Sequence, residues 1–360
     1  MEFNNLVYLA SAASTITAIL ATYFYLRASH SQEYKGYTSH GSADKKPTIC
    51  TSNKKLRNFL ESHVPALFEK YSPSWLFWEG RLQSIMGLAL RLPESKKLPY
   101  MREIFQLSDG GELGLDYLDP PEGLGVQGSK GRKKKANRKL LVLLLPGLTS
   151  SSQTSYVKSV ALAITHAGAT VVVLNNRGLG GVPLKTPRTY CASKPDDARE
   201  VIAHLKKKYP CTRLMAVGTS LGGILLCQYL INYAQEAKQT LIAALVISIC
   251  WDPMSGTTNL EKPFVNKYIM NYNLTQNLRS LAAKYRKILE ERNCWDFNKV
   301  LKSRTLREFD AHFTAPQFGY ESVMDYYKDA SVIDNIDKFP IPVFGFNAYD
   351  DPLQPGDRKS

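Results

Sequence analysis

One serine stands between two apolar runs in the stretch RLMAVGTSLGGILLCQYL, from Arg213 to Leu230. Its surroundings, Gly218-Thr219-Ser220-Leu221-Gly222, follow the pattern G-x-S-x-G. A hydroxyl is a weak nucleophile at neutral pH, so the chemistry needs presentation and a neighbouring base. The pattern supplies the presentation if a strand turns into a helix at that serine. Gly218 and Gly222 lack Cβ atoms, which lets the two elements approach, and Ser220 is then held in a strained conformation with Oγ above the sheet rim. The Leu221 N–H opens the helix without an internal acceptor and points into the same space. Attack by Ser220 on an acyl carbon would place negative charge there, and a second N–H is needed to hold that oxyanion. The loop LLPGLTSSS (Leu144 to Ser152) closes the first long apolar run, and the Leu148 N–H is the candidate second donor. The competing reading of this loop is a strand-to-helix turn capped by its serines.

An acid that orients a catalytic His should follow the serine in the order Ser, Asp or Glu, His. Asp350-Asp351-Pro352 closes the run IPVFGFNAY, which puts both carboxylates at the carboxyl edge of a sheet, where open α/β folds bind ligands. Neighbours on an extended chain face opposite ways, so only one of the two can serve. Asp351 is preferred because Pro352 and Pro355 fix the turn after it, with Asp350 as the alternative. No His follows either. His30, His40, His63, His166, His204 and His312 all precede the acid. His166 and His204 fall near ends of expected helices on the sheet faces, and His312 lies beside Phe313 in the cap region. Each is expected to be structural or exposed rather than a replacement base.

The elements that must position these groups follow from hydrophobic patterning. Leu140–Leu145, Thr170–Asn175, Arg213–Gly218, Leu241–Ile249 and Ile341–Ala348 are continuous apolar runs, as parallel strands covered on both faces are. Helical segments are expected between the first four, over about Tyr156–His166, Asp196–Lys208 and Ile224–Tyr233. The alternation implies an α/β fold, a mostly parallel sheet with flanking helices. Ser108-Asp109-Gly110-Gly111 marks a hairpin between two further strands. The stretch Leu260–Asp310 breaks the alternation and is expected to form the body of a helical cap over about 252–335.

The run Leu6–Leu26 carries no charge and is long enough for a transmembrane helix of about 20 residues. The residues before it lack Lys and Arg, and no A-x-A site follows, which favours an uncleaved anchor over a signal peptide. Positive charge after the span, at Arg27, Lys35, Lys45 and Lys46, places the following domain in the cytosol. An Asn273-Leu274-Thr275 acceptor would be glycosylated only in the opposite orientation. The organisation expected is an anchor over 1–30, a linker and helical segment over 31–100, and a catalytic domain over 101–360.

The formal charge of +14 asks for an anionic partner. Its densest run, GSKGRKKKANRK over 128–139, reads as a solvated loop, as a contact with anionic lipid, or as a nuclear or nucleic-acid patch. No aromatic interleaving supports nucleic acid, and none is expected as a partner. Six scattered cysteines without a C-x-x-C pair fit free thiols in a reducing compartment. Neither a metal nor an organic cofactor is expected.

Taken together, WEGRLQSI (Trp78 to Ile85), LLLPGLTSSSQTSYV, VVVLNNRGLGG, PRTYCAS, VGTSLGGILL, REFDAHFTAPQFGY (Arg307 to Tyr320) and NAYDDPLQP resemble the α/β-hydrolase superfamily. More narrowly, they are similar to the membrane-anchored abhydrolase-domain-containing proteins one and three and their relatives among yeast medium-chain esterases. The resemblance spans about Phe59 to Pro355. It implies a single-pass membrane serine esterase or phospholipase, the endoplasmic reticulum being one expected location, with lipid or phospholipid esters as substrates. The implied machinery is Ser220 as nucleophile, Asp351 as acid, and Leu221 and Leu148 as oxyanion donors. In that family the triad His lies after an eighth strand, in a Gly-Gly-His segment. Here no His follows Asp351 up to Ser360, so a C-terminally truncated chain is expected, or a catalytically silent short form that binds lipid or a partner.

Overall fold

The computed structural model describes residues 46–71, 80–81, 83–84, 97–121, 140–262, 265–292 and 294–354. The chain divides into two units, Met1–Gly87 and Leu88–Ser360. In the first, helix α1 (Lys54–His63) starts at Asn53, whose side chain accepts the Leu56 N–H at 3.1 Å and satisfies one of the orphan donors of the first turn. The expected anchor Leu6–Leu26 and the basic run 128–139 lie outside the described residues. Among those described, no helix is long and apolar enough to cross a membrane.

The second unit is built on a sheet of seven strands: β1 (Met101–Gln106), β2 (Glu112–Leu118), β3 (Leu140–Leu145), β4 (Thr170–Asn175), β5 (Arg213–Thr219), β6 (Ala243–Ile247) and β7 (Val343–Phe346). Their order is β1-β2-β4-β3-β5-β6-β7. The first two form the expected hairpin, with Gly110 at φ 82 supplying the left-handed residue of its turn. β2 joins β4 antiparallel, and every pairing from β4 through β7 is parallel. Leu145 pairs with Gly218, and Gly218 with Val246, so β3, β5 and β6 end level and their loops share one rim.

The apolar runs are continuous because successive side chains point to opposite faces and both faces are covered. Val142 and Leu144 pack with Val157 and Ala161 of helix α2 (Ser155–His166). Leu141, Leu143 and Leu145 face the other way, toward Val201, Ile202 and Leu205 of helix α3 (Asp196–Lys208) and Leu226 and Leu230 of helix α4 (Leu221–Asn232). Helix α4 is buried from Gly222 to Leu230.

The structure departs from the sequence reading in three places. Helix α4 begins at Leu221, not near Ile224, because the strand enters it through Ser220 with no intervening loop. β6 and β7 are shorter than the apolar runs that contain them, and neither is buried on both faces. β7 is one of the two edge strands among those described, and Phe346 on it is 50% exposed. The helical insertion is also shared between two cores. Helices α5 (Pro253–Leu260) and α6 (Tyr272–Lys284) lead into a separate cluster formed by Leu278, Ala282, Leu289, Phe297, Val300, Phe309 and Phe313. Helix α7 (Val323–Ala330) instead buries Tyr326, Tyr327 and Ala330 in the main core, where Gln228 of α4 donates to the Asp329 carbonyl at 2.6 Å.

Candidate active site

Ser220 has φ 51 and ψ −120, a left-handed conformation that side chains with a Cβ rarely adopt. Its backbone is tied on both sides. The Ser220 N–H donates to the Ile247 carbonyl at 3.0 Å, and the Ser220 carbonyl accepts from Gly223 at 2.9 Å and Ile224 at 3.2 Å. Strain of this kind costs about 1–3 kcal/mol and persists only where the surroundings enforce it. The glycines of the motif permit it sterically. A Cβ on Gly218 would sit 2.5 Å from the Gly222 carbonyl oxygen and 2.6 Å from the Gly223 Cα. One on Gly222 would run into the Leu145 carbonyl oxygen.

Ser220 opens onto a cavity of about 130 Å³ that Leu221 and Leu148 also line. Its walls are mostly apolar, with Leu274, Leu278 and Leu281 from α6 and Phe309 and Phe313 from later in the helical insertion. Neither the Leu221 N–H nor the Leu148 N–H has an acceptor among the described residues. The structure thus brings three of the four expected site residues onto one cavity, with two unengaged donors beside a strained serine.

Asp351 does not line this cavity, but Leu353, two residues on, does. The Asp351 Oδ1 accepts from the Leu353 N–H at 2.8 Å and the Gln354 N–H at 3.4 Å. Burial lifts the carboxyl above its ordinary value, the two N–H groups pull it back, and Asp350 adds to the rise. The segment is anchored to the start of α5: the Asp252 N–H donates to Gln354 Oε1 at 3.2 Å, and the Asn259 amide donates to the Pro352 carbonyl. The sequence reading has Asp350 and Asp351 closing an extended strand, and the structure corrects this. β7 ends at Phe346, and the chain turns before the carboxylates.

No described His lines the cavity. His63 is bonded to the Phe59 carbonyl at 3.0 Å. His204 lies within α3 rather than at its end and meets Glu103 at 2.9 Å. His312 meets Ser303 at 3.2 Å, and His166 is exposed at the end of α2.

Two groups on the cavity wall were not identified from sequence. Burial pushes the Cys191 thiol up to about 11, which disqualifies it as a competing nucleophile at neutral pH. Asp310, in the turn Asp310–Thr314, is buried and accepts from the Tyr327 hydroxyl at 2.9 Å. Burial raises its carboxyl to about 6, against hydrogen bonds from Thr314 and Tyr327. The raised value means that the folded state holds a proton there that the unfolded chain releases. The associated stability is full below the unfolded value of about 3.9 and is lost as pH rises through about 6, by about 3 kcal/mol. Asp116, Glu103 and Asp109 are shifted downward and act oppositely, at lower pH. Asp310→Asn is therefore expected to flatten the fall in stability between pH 4 and pH 7. Urea unfolding at both pH values checks this, and parallel curves for wild type and variant would refute it.

Residues 136–294 match the family described as serine aminopeptidase, S33. The chain is 35% identical over 314 residues to the human protein named phospholipase ABHD3, covering 87% of this chain and 73% of that one. It is 26% identical over 340 residues to the monoacylglycerol lipase of Saccharomyces cerevisiae, covering 83% of this chain and 73% of that one. Among solved structures, an α/β serine hydrolase without a lid from Xanthomonas campestris covers 42% of this chain and 63% of its own, at 19% identity and a TM-score of 0.32.

Proposed function

Because the chain belongs to the α/β-hydrolase family, in the group of the ABHD3 phospholipases, we propose that it is a serine hydrolase that cleaves acyl esters of phospholipids and related lipids. One observation carries this reading: Ser220, at φ 51, shares an apolar cavity with two N–H donors that have no acceptor among the described residues. The acyl chain lies against the leucines of α6, and Ser220 Oγ attacks the ester carbon. The Leu148 and Leu221 N–H groups hold the oxyanion, and each such donor contributes about 3–4 kcal/mol to the barrier. The alcohol leaves, and water resolves the acyl-enzyme. In the triad that the family resemblance implies, Asp351 would orient a His that takes the Ser220 proton and returns it to the leaving alcohol, and added imidazole can stand in for that base.

The described residues put no imidazole on the cavity, and loss of that base costs on the order of 10⁶ in kcat. A lipid-binding form without catalysis is the second reading, which the largely apolar lining of the cavity also supports. The uncharged run Leu6–Leu26 is proposed as the membrane anchor, with the hydrolase domain on the cytosolic side.

The test is to incubate the 360-residue chain, with and without added imidazole, with phosphatidylcholine vesicles, with a monoacylglycerol and with an aminoacyl anilide. Fatty-acid release from the lipids, accelerated by imidazole, is expected, with the anilide left intact. Lipid binding without release would select the second reading, and anilide cleavage would overturn the substrate class. In cell fractions, removal of residues 1–30 is expected to release the protein from membranes; retention would overturn the anchor.

A further inference from the structure

The oxyanion loop is pinned on either side of its donor by two tyrosines from different parts of the fold. Pro146 has no N–H. The Gly147 N–H donates to the Tyr156 hydroxyl at 2.7 Å, and Tyr156 comes from the first turn of α2. The Thr149 N–H donates to the Tyr190 hydroxyl at 3.0 Å, and Tyr190 comes from the segment between β4 and α3. The peptide that carries the Leu148 N–H thus lies between two peptides whose N–H groups are both held. The loop needs such restraint because Thr149 sits at φ 55, a conformation that an unrestrained Thr would leave. The Ser150 N–H also closes onto the Gly147 carbonyl at 3.1 Å.

The three parts pack against one another. A Cβ on Gly147 would lie 3.1 Å from the Tyr156 hydroxyl and 3.2 Å from the Ser220 Cβ, so loop, tyrosine and nucleophile leave no slack between them. The two hydroxyls are near enough for Tyr156 to add to the rise of the Tyr190 pKa, which burial causes and the Thr149 N–H opposes. Tyr190 therefore acts as a neutral acceptor at physiological pH.

We propose that Tyr156 and Tyr190 are positioning residues that aim the Leu148 N–H at the developing oxyanion. The proposal rests on the hydrolase reading for its chemical consequence but not for its geometry. Each hydroxyl accepts a main-chain N–H that would otherwise be free to turn away or to seek water. Fixing both neighbours leaves the Leu148 donor aimed before substrate arrives, which is the preorganisation that oxyanion stabilisation requires.

The test uses Tyr156→Phe and Tyr190→Phe, which keep the ring and delete the acceptor. Tyr229→Phe, which loses a bond to Thr240 at 3.0 Å in the core, is the control for a merely structural hydroxyl. Amide hydrogen exchange is measured at Gly147, Leu148 and Thr149 in the full chain. Wild type is expected to protect Gly147 and Thr149 but not Leu148. Tyr156→Phe is expected to accelerate exchange at Gly147 roughly 10-fold, and Tyr190→Phe at Thr149, as loss of one hydrogen bond implies. With a short-chain aryl ester and added imidazole, each variant is expected to lose about 10- to 100-fold in kcat with KM nearly unchanged, less than deletion of a donor costs. Tyr229→Phe should leave both constants unchanged. Exchange unaltered in both Phe variants would overturn the clamp. Accelerated exchange with unchanged kcat would overturn its role in aiming the donor. A wild-type chain that hydrolyses nothing would instead defeat the hydrolase reading, and the exchange pattern would still decide the geometry.

Discussion

Ser220→Ala should abolish covalent labelling by a fluorophosphonate and reduce lipid-ester hydrolysis to the rate without protein. The expectation follows from geometry: of the three described hydroxyl residues at positive φ, Thr149, Ser220 and Ser248, Ser220 is the one that lines the cavity, together with two N–H groups without described acceptors. With a base in place, removal of such a nucleophile costs on the order of 10⁶ in kcat. The fold should survive, because the backbone bonds of Ser220 to Ile247, Gly223 and Ile224 do not involve its side chain. Ser220→Gly sharpens the test. Glycine adopts φ 51 without strain, so this variant should be equally inactive yet more stable than wild type by about 1–2 kcal/mol. Retained labelling in Ser220→Ala would place the nucleophile elsewhere. A destabilised Ser220→Gly would show that the turn is not strained.

Gly222→Ala should do comparable damage by a different route. Gly222 is not at positive φ, so alanine meets no conformational penalty there. The obstacle is space: the new Cβ would overlap the Leu145 carbonyl oxygen and lie 2.6 Å from the Pro146 oxygen. Neither can yield cheaply, because β3 is paired on both sides, to β4 and β5, and α4 is buried along most of its length. Overpacking of backbone against backbone belongs to the exceptional class of substitutions, on the order of 4 kcal/mol or more. Against a typical total of about 5–15 kcal/mol, much of the protein should fail to fold, or should fold with the turn displaced and Ser220 unreactive. Gly319→Ala is the matched control. Gly319 has φ 78 with nothing within 4 Å of an added Cβ, so only the backbone penalty of about 1–2 kcal/mol should register. Soluble yield, the urea midpoint and fluorophosphonate labelling read both variants. A Gly222→Ala protein with an unchanged midpoint and normal labelling would refute the close approach of β3 and α4.

Some elements could be placed from sequence almost to the residue. β3, β4 and α3 coincide with the runs Leu140–Leu145, Thr170–Asn175 and Asp196–Lys208, because full burial on two faces leaves an unbroken apolar signal bounded by polar loops. The same signal overextended β6 and β7. Ile249 is buried beyond the last paired residue of β6, and patterning cannot separate a paired strand residue from a buried loop residue. The carboxylates after β7 suffered the same error. Their alternation was argued for an extended chain, whereas the chain has already turned.

By itself, the sequence determined whatever depends on neighbours along the chain. The Gly-x-Ser-x-Gly turn is such a case, since the clash that excludes a Cβ at Gly218 involves Gly222 and Gly223, only a few residues away. Tertiary structure alone decided which distant groups converge on that turn. Tyr156 and Tyr190 reach the Gly147 and Thr149 amides from 9 and 41 residues away. Asp310 shares a cavity wall with Ser220 only when the helical insertion folds against the strand-end loops. A hydroxyl accepting a backbone N–H, or a buried carboxyl accepting from a tyrosine hydroxyl, leaves no periodicity in the chain. Strand register and helix packing set such distances, and those are collective properties of the folded whole.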